Sequence, residues 1–291
     1  MNIVRESIIK VFSPESPFHF IGLKIYQSIY HAICIFWRWR FPTTLIWARN
    51  SYESGDLVPG LSDIDLTVIS TEGEPPPYSL EVLGVFKKIF IILGEVNSYN
   101  PESLEIIKDI YNYYEIQRDP KLMSYFNLSK KPNEVDSTIY LMRTYESDKH
   151  NIENRIKFRK RKWLRVFQLL EIENEELSMS SLYTQLQKRI GERILNNQML
   201  YSPHTWLECN FQKLNDTQVK EIFSSLTETE SLIIIGQIRW EVFGILTQLP
   251  FLKNRKDMRY HFDNLKTILS YLSSSDAVEL KGSVERARQL V

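Results

Sequence analysis

Two short stretches with strand character, TTLIWA (Thr43 to Ala48) and DIDLTVI (Asp63 to Ile69), flank a segment rich in turn formers, NSYESGDLVPGLS. The first is β-branched and aromatic, and the second alternates polar and apolar residues with period two. Pro59 and Gly60 punctuate the connection between them. A chain written this way must carry a sheet near residue 60, with the turn segment at one end of it. Upstream, Ile21, Ile25, Ile29, Ile33 and Phe36 recur at helical spacing and predict a helix that stops at Phe41-Pro42. Downstream, the prolines of EGEPPPYS predict a loop, LEVLGVFKKIFII a helix, and GEVNSY a third strand before Pro101.

From about Ser103 the pattern changes. Glycine becomes sparse and helical periodicity dominates, with Ile156, Trp163, Phe167 and Leu170 on one stripe and Glu230 to Leu249 apolar enough for a buried helix. The chain has no internal repeat. Its 291 residues, 43% of them hydrophobic, suffice for a sizeable core. With 36 basic and 36 acidic residues there is no global field for nucleic acid or anionic membrane, so attraction for phosphate must be local. Cys34 and Cys209 lack metal-binding or disulfide spacing and suit a reducing compartment. The uncharged run Ile25 to Trp37 falls short of the roughly 20 residues of a membrane span, and Arg5, Glu6 and Lys10 spoil a secretory signal. The expectation is a cytoplasmic protein with no membrane partner.

In DIDL the strand period sets Asp63 and Asp65 on one face while Ile64 and Leu66 enter the core. Two carboxylates so close need a positive partner, and a hard divalent cation with oxygen ligands is the usual one. Magnesium fits, because it takes carboxylates together with substrate phosphates. The preceding turn, with Asn50, Ser51, Ser54 and Gly55, offers backbone N–H groups and a hydroxyl to a phosphate. Aspartates also serve strand edges and turns, but the combined turn-and-strand context favours the metal role.

The pattern NSYESGDLVPGLSDIDL resembles the signature of the DNA polymerase β-like nucleotidyltransferase superfamily, over roughly residues 41 to 100. The resemblance implies an α+β fold: a small mixed sheet with flanking helices in residues 1–120, followed by a mainly α-helical domain in residues 121–291. It implies Mg²⁺-dependent transfer of a nucleoside monophosphate from an NTP to an acceptor hydroxyl. Asp63 and Asp65 would hold two magnesium ions, and Asn50, Ser51 and Ser62 would contact the nucleotide. Asn50 stands where the family's turn has glycine, and asparagine enters left-handed dihedrals more readily than most residues. The family's third carboxylate, metal ligand and general base, is assigned to Glu95, with Glu102 and Glu105 as fallbacks. The acceptor, whether small molecule, RNA or protein, is not encoded in any recognisable motif.

Alternatives come from two other features. A non-catalytic nucleotide-binding or scaffolding module of the same fold is suggested by the missing turn glycine. An RNA-binding or RNA-modifying protein would use RIKFRKRKWLR, Arg155 to Arg165, although EIENEE, Glu171 to Glu176, can offset that charge and a solvated helix face explains it more simply. Arg255 and His261 have a spacing like that of the helical HEPN ribonucleases, a weak signal. His19, His31, His150 and His204 show no metal-ligand spacing and are read as core or surface residues.

Overall fold

The structure is a computed structural model that describes residues 3–53, 55, 57–60, 62–73, 77–110, 119–126, 134–148, 188, 191, 194, 197–211, 213–252 and 255–291. It is a mixed α+β protein with a three-stranded mixed sheet and, among the described residues, twelve α-helices. The stripe Ile156 to Leu170, the basic run Arg155 to Arg165, Glu171 to Glu176, His150 and Ser54 lie outside the described residues.

The N-terminal helices α1 (Ile3–Phe12) and α2 (His19–Arg40) lead into β1 (Thr44–Arg49). Helix α2 buries Gly22, Tyr26, Ile33, Cys34 and Trp37, whereas Ile21 and Ile25 of the predicted stripe are exposed. The buried face therefore combines Tyr26 and Trp37 with Ile33, while Phe20 and Trp39 are exposed along with Ile21 and Ile25. The corner into β1 is closed by the buried Trp37 indole, which donates to Thr44 Oγ1 at 2.7 Å while that hydroxyl donates to the Phe41 carbonyl at 3.0 Å.

Strand β2 (Ile64–Ser70) is central, antiparallel to β1 and parallel to β3 (Leu93–Tyr99), with α3 (Pro77–Ile89) as the crossover. The helix begins at Pro77, inside the segment expected to be a loop. Proline is at home there because first-turn N–H groups have no intrahelical acceptor and its φ is already helical. Ile64, Leu66 and Val68 of β2 are fully buried in one core with Ile46 and Ala48 of β1, Leu93 and Val96 of β3, and Ile33 and Trp37 of α2.

The opposite face of the sheet is closed by a residue distant in sequence. Asp119 is buried; its carboxylate accepts from the Trp47 indole at 2.7 Å and the Thr67 hydroxyl at 2.5 Å, and from the Leu122 N–H at 3.1 Å. It thereby caps α5 (Pro120–Phe126) and ties that helix under the sheet. Gln248 acts similarly, its amide donating to the Val96 carbonyl at 3.0 Å and Asn97 Oδ1 at 3.1 Å.

The sequence placed a single domain boundary near residue 120. By contacts the chain forms two interleaved compact units: residues 1–105, 118–125 and 247–252 make the sheet unit, and residues 106–117, 126–246 and 253–291 make a helical one. Helix α4 (Pro101–Ile110) straddles the first crossing point. The helical unit contains α6 (Glu134–Asp148), α7 (Gln198–Tyr201), α8 (Pro203–Phe211), α9 (Asp216–Ser224), most of α10 (Glu228–Gln248), α11 (Arg255–Ser270) and α12 (Ser275–Gln289). Helix α10 opens on a reciprocal cap, with Thr227 Oγ1 accepting from the Glu230 N–H and Glu230 Oε2 accepting from the Thr227 N–H. The stretch Glu228–Phe251 is long and apolar enough to cross a membrane by composition alone, yet 61% of its most apolar window is buried inside the protein. Ile233, Ile234, Ile235, Ile238 and Val242 are essentially inaccessible to solvent.

Gly60 tests how the connection between β1 and β2 is held. At φ +84° an added Cβ would lie 2.6 Å from the Ile9 backbone nitrogen, and the Gly60 N–H donates to the Tyr26 hydroxyl at 2.8 Å. Gly55 has φ +75° but open space around it. Gly60→Ala should therefore cost clearly more than Gly55→Ala, whose cost is confined to about 1–2 kcal/mol of backbone strain, as urea denaturation of the two variants would reveal.

Candidate functional site

Strand period two fails at one place in β3, and the failure shapes the site. Ile64 pairs with Leu93 and Leu66 with Val96, so Asp65 faces two residues of β3, Gly94 and Glu95. This bulge explains how Leu93 and Val96, three residues apart, both reach the same core. It also aims the Glu95 N–H at Asp65 Oδ1, 2.9 Å away, and leaves the Glu95 side chain 58% exposed.

The two aspartates lie beside the same glycine, Gly94. Asp63 sits one residue before β2 and Asp65 within it, both half-buried. A Cβ placed on Gly94 would meet Asp65 Oδ1 at 2.3 Å and Asp63 Cβ at 2.7 Å. Both side chains therefore border the ground that Gly94 leaves open, and only glycine leaves it open.

The turn reaches the same point from β1. Asn50 adopts φ +57° and is the only non-glycine residue with positive φ among the described residues. In this left-handed conformation its amide donates to Asp65 Oδ2 at 2.7 Å. The position takes the backbone shape that glycine would supply, and the side chain adds a tether that glycine lacks. Tyr52 packs against Tyr30 of α2 with ring centroids 4.6 Å apart and planes tilted by 55°, anchoring the turn. Ser51 lies in the turn and is half-buried. The Ser62 hydroxyl accepts from the Val58 N–H at 3.0 Å, so it holds the loop before Asp63 in shape.

Arg49 was not anticipated from sequence. It is opposite Asp65 in the ladder, is 4% exposed, and its guanidinium donates to Glu95 Oε2 at 2.9 Å. Burial alone would weaken its charge, but Asp65 and Glu95 outweigh that effect and hold it protonated. The second Glu95 oxygen accepts from the Gln248 amide at 3.3 Å. Asp63, Asp65, Glu95 and Arg49 together carry a formal charge of minus two. Glu102 and Glu105 lie in α4, after β3 has ended.

In the helical unit the histidines depart from expectation. His204 of α8 and His261 of α11 converge on Glu241 of α10, whereas His204 was read as an ordinary core or surface residue. The three positions are far apart in sequence, so no ligand spacing could announce them. His261 thus points into this cluster, and the side chain of Arg255 lies outside the described residues.

The geometry around Asn50 separates backbone from side-chain effects. Asn50→Gly loses one hydrogen bond to a carboxylate, worth about 1.5–3 kcal/mol. Asn50→Ala loses the same bond and adds left-handed strain of about 1–2 kcal/mol. Chemical denaturation should rank the variants wild type, then Gly, then Ala; equal stability of Gly and Ala would contradict the role of the φ angle.

Compared with protein-family models, curated proteins and solved structures, the chain shows no significant match to any of them.

Proposed function

We propose that the sheet unit is a Mg²⁺-dependent nucleotidyltransferase, moving a nucleoside monophosphate from an NTP to an acceptor hydroxyl. The observation that supports the reading is that the left-handed Asn50 turn and the Glu95 N–H of the β3 bulge both hydrogen-bond Asp65, with Asp63 beside the same Gly94. The order helix, β1, turn, β2, helix, β3 is the one expected for a nucleotidyltransferase fold.

Asp63, Asp65 and Glu95 offer only carboxylate oxygens, a donor set suited to magnesium, and they would be its ligands once their side chains turn toward one another, since they are not gathered as closely as His204, Glu241 and His261. When bound, magnesium supplies positive charge to the triphosphate. The residues of the chain do the rest. Asn50 and the Glu95 N–H orient Asp65, and the turn containing Ser51 offers N–H groups to the phosphates. The acceptor oxygen attacks the α-phosphorus, its proton passes to the Glu95 carboxylate, and the bond to the β-phosphate oxygen breaks with loss of pyrophosphate. Arg49 and Gln248 hold Glu95 in place for that transfer.

A second reading has its own observation. Both Asp65 oxygens and both Glu95 oxygens already accept hydrogen bonds within the protein. A network satisfied by Arg49 and Asn50 suits a non-catalytic nucleotide-binding module, in which a buried guanidinium does the neutralising that a cation does in an enzyme.

Incubation with each α-labelled NTP, Mg²⁺ and candidate acceptors (cell extract, RNA, aminoglycosides) separates the readings. The enzyme reading predicts label transfer, lowered at least about a hundredfold in Asp63→Asn and Asp65→Asn and about 10²–10⁴-fold in Glu95→Gln. Metal-dependent NTP binding without pyrophosphate release would favour the second reading.

A further inference from the structure

Three helices of the helical unit each direct one side chain to a common point: His204 from α8, Glu241 from α10 and His261 from α11. One ligand atom of each lies within 4.8 Å of the other two. His204 Nδ1 is 2.8 Å and His261 Nε2 is 3.5 Å from the same oxygen, Glu241 Oε2, and the imidazole centroids are 4.4 Å apart. We propose that these three side chains bind a first-row transition-metal dication, zinc foremost, at a site independent of the carboxylates of the sheet unit.

The donor set decides the metal. Two imidazole nitrogens and one carboxylate oxygen suit zinc and its neighbours, whereas magnesium and calcium take oxygen. Zinc bonds of about 2.0–2.1 Å at tetrahedral angles put adjacent ligand atoms about 3.3–3.4 Å apart. The distances of 2.8 and 3.5 Å to Glu241 Oε2 bracket that value.

Two of the three atoms that would bind, His204 Nδ1 and Glu241 Oε2, are buried, lie 2.8 Å apart, and have no partner beyond this cluster. Behind them the far side of the His204 ring is held: Nε2 is 3.1 Å from Thr205 Oγ1, which is 2.9 Å from Ser202 Oγ. With metal bound, a proton on Nε2 donated to Thr205 would turn the Nδ1 lone pair to the metal, the arrangement that metal-bound histidines adopt. The side chains are 23%, 11% and 16% exposed for His204, Glu241 and His261, so the site is enclosed but reachable. Three protein ligands leave a fourth tetrahedral position open for water or a ligand.

Without metal, the three groups stabilise one another's charged forms. Burial pushes Glu241 toward the neutral form, but His204 and His261 outweigh it and hold the carboxyl below its ordinary range, hence ionised at neutral pH. Glu208 adds negative potential at His204 and Arg143 opposes it. Burial likewise disfavours the His204 imidazolium, and Glu241 reverses that and raises its pKa. Protons therefore compete with the metal, and affinity should fall as pH drops through the histidine range.

The test uses the full chain, stripped of metal and titrated with zinc sulfate against a chromophoric chelator. One zinc per chain is expected. Affinity should fall at least about tenfold in His204→Ala and in His261→Ala, should weaken from pH 8 to pH 6 by proton competition, and should be unchanged in Asp65→Asn and Cys209→Ser. Zinc should raise the Tm of the wild type and not that of His261→Ala; His261→Gln serves if the alanine variant fails to fold. No saturable micromolar binding, wild-type affinity in both histidine variants, or loss of zinc on replacing Asp65 or Cys209 would overturn the proposal. Failure of nucleotidyl transfer would leave it standing, since the two sites share no residue.

Discussion

The arrangement around the Asp65 carboxylate organises the whole end of the sheet. One oxygen holds the turn through Asn50, the other holds the β3 bulge through the Glu95 N–H, and across the ladder stands the buried Arg49. A half-buried carboxylate is unfavourable without such partners, because desolvation penalises the charge. Each partner is in turn bound by the constraint it satisfies. Asn50 reaches Asp65 only in a left-handed conformation, and Glu95 presents its N–H only because β3 carries one extra residue opposite Asp65.

The packing behind this cluster explains its placement. Central β2 is buried on both faces, by α2 and α3 on one side and by Asp119 with α5 on the other. Asp119 is a second carboxylate at the sheet, but it is buried away from solvent and bonded to Trp47, Thr67 and Leu122, which makes it a clamp. Asp65 differs by lying at the strand end beside Asp63, with Gly94 keeping the space next to both clear. That difference in surroundings is why the proposed chemistry is placed at Asp65 rather than at Asp119.

Much of this was legible in the sequence, for local reasons. Strand period, turn chemistry and proline breaks located β1, β2 and β3 to within a few residues and put Ile64 and Leu66 in the core. What escaped notice depends on contacts between distant positions. Nothing near Asp119, Gln248 or Arg49 marks them as neighbours of the sheet, and the meeting of His204, Glu241 and His261 exists only once three helices pack. The bulge was hidden for another reason: GEVNSY reads as a regular strand, and only the pairing of Leu66 with Val96 reveals the extra residue. Pro77 was misread because a proline run looks like a loop until its last member is recognised as an ordinary first helical residue.

The most direct test of the central claim is a crystal structure of the chain with Mg²⁺ and a non-hydrolysable NTP. The account predicts metal density bridging the Asp63 and Asp65 carboxylates, triphosphate oxygens completing its coordination, and the turn at Ser51 against the phosphates. Triphosphate bound elsewhere, or an Asp65 still held only by Asn50 and Glu95 with no metal at saturating Mg²⁺, would contradict it.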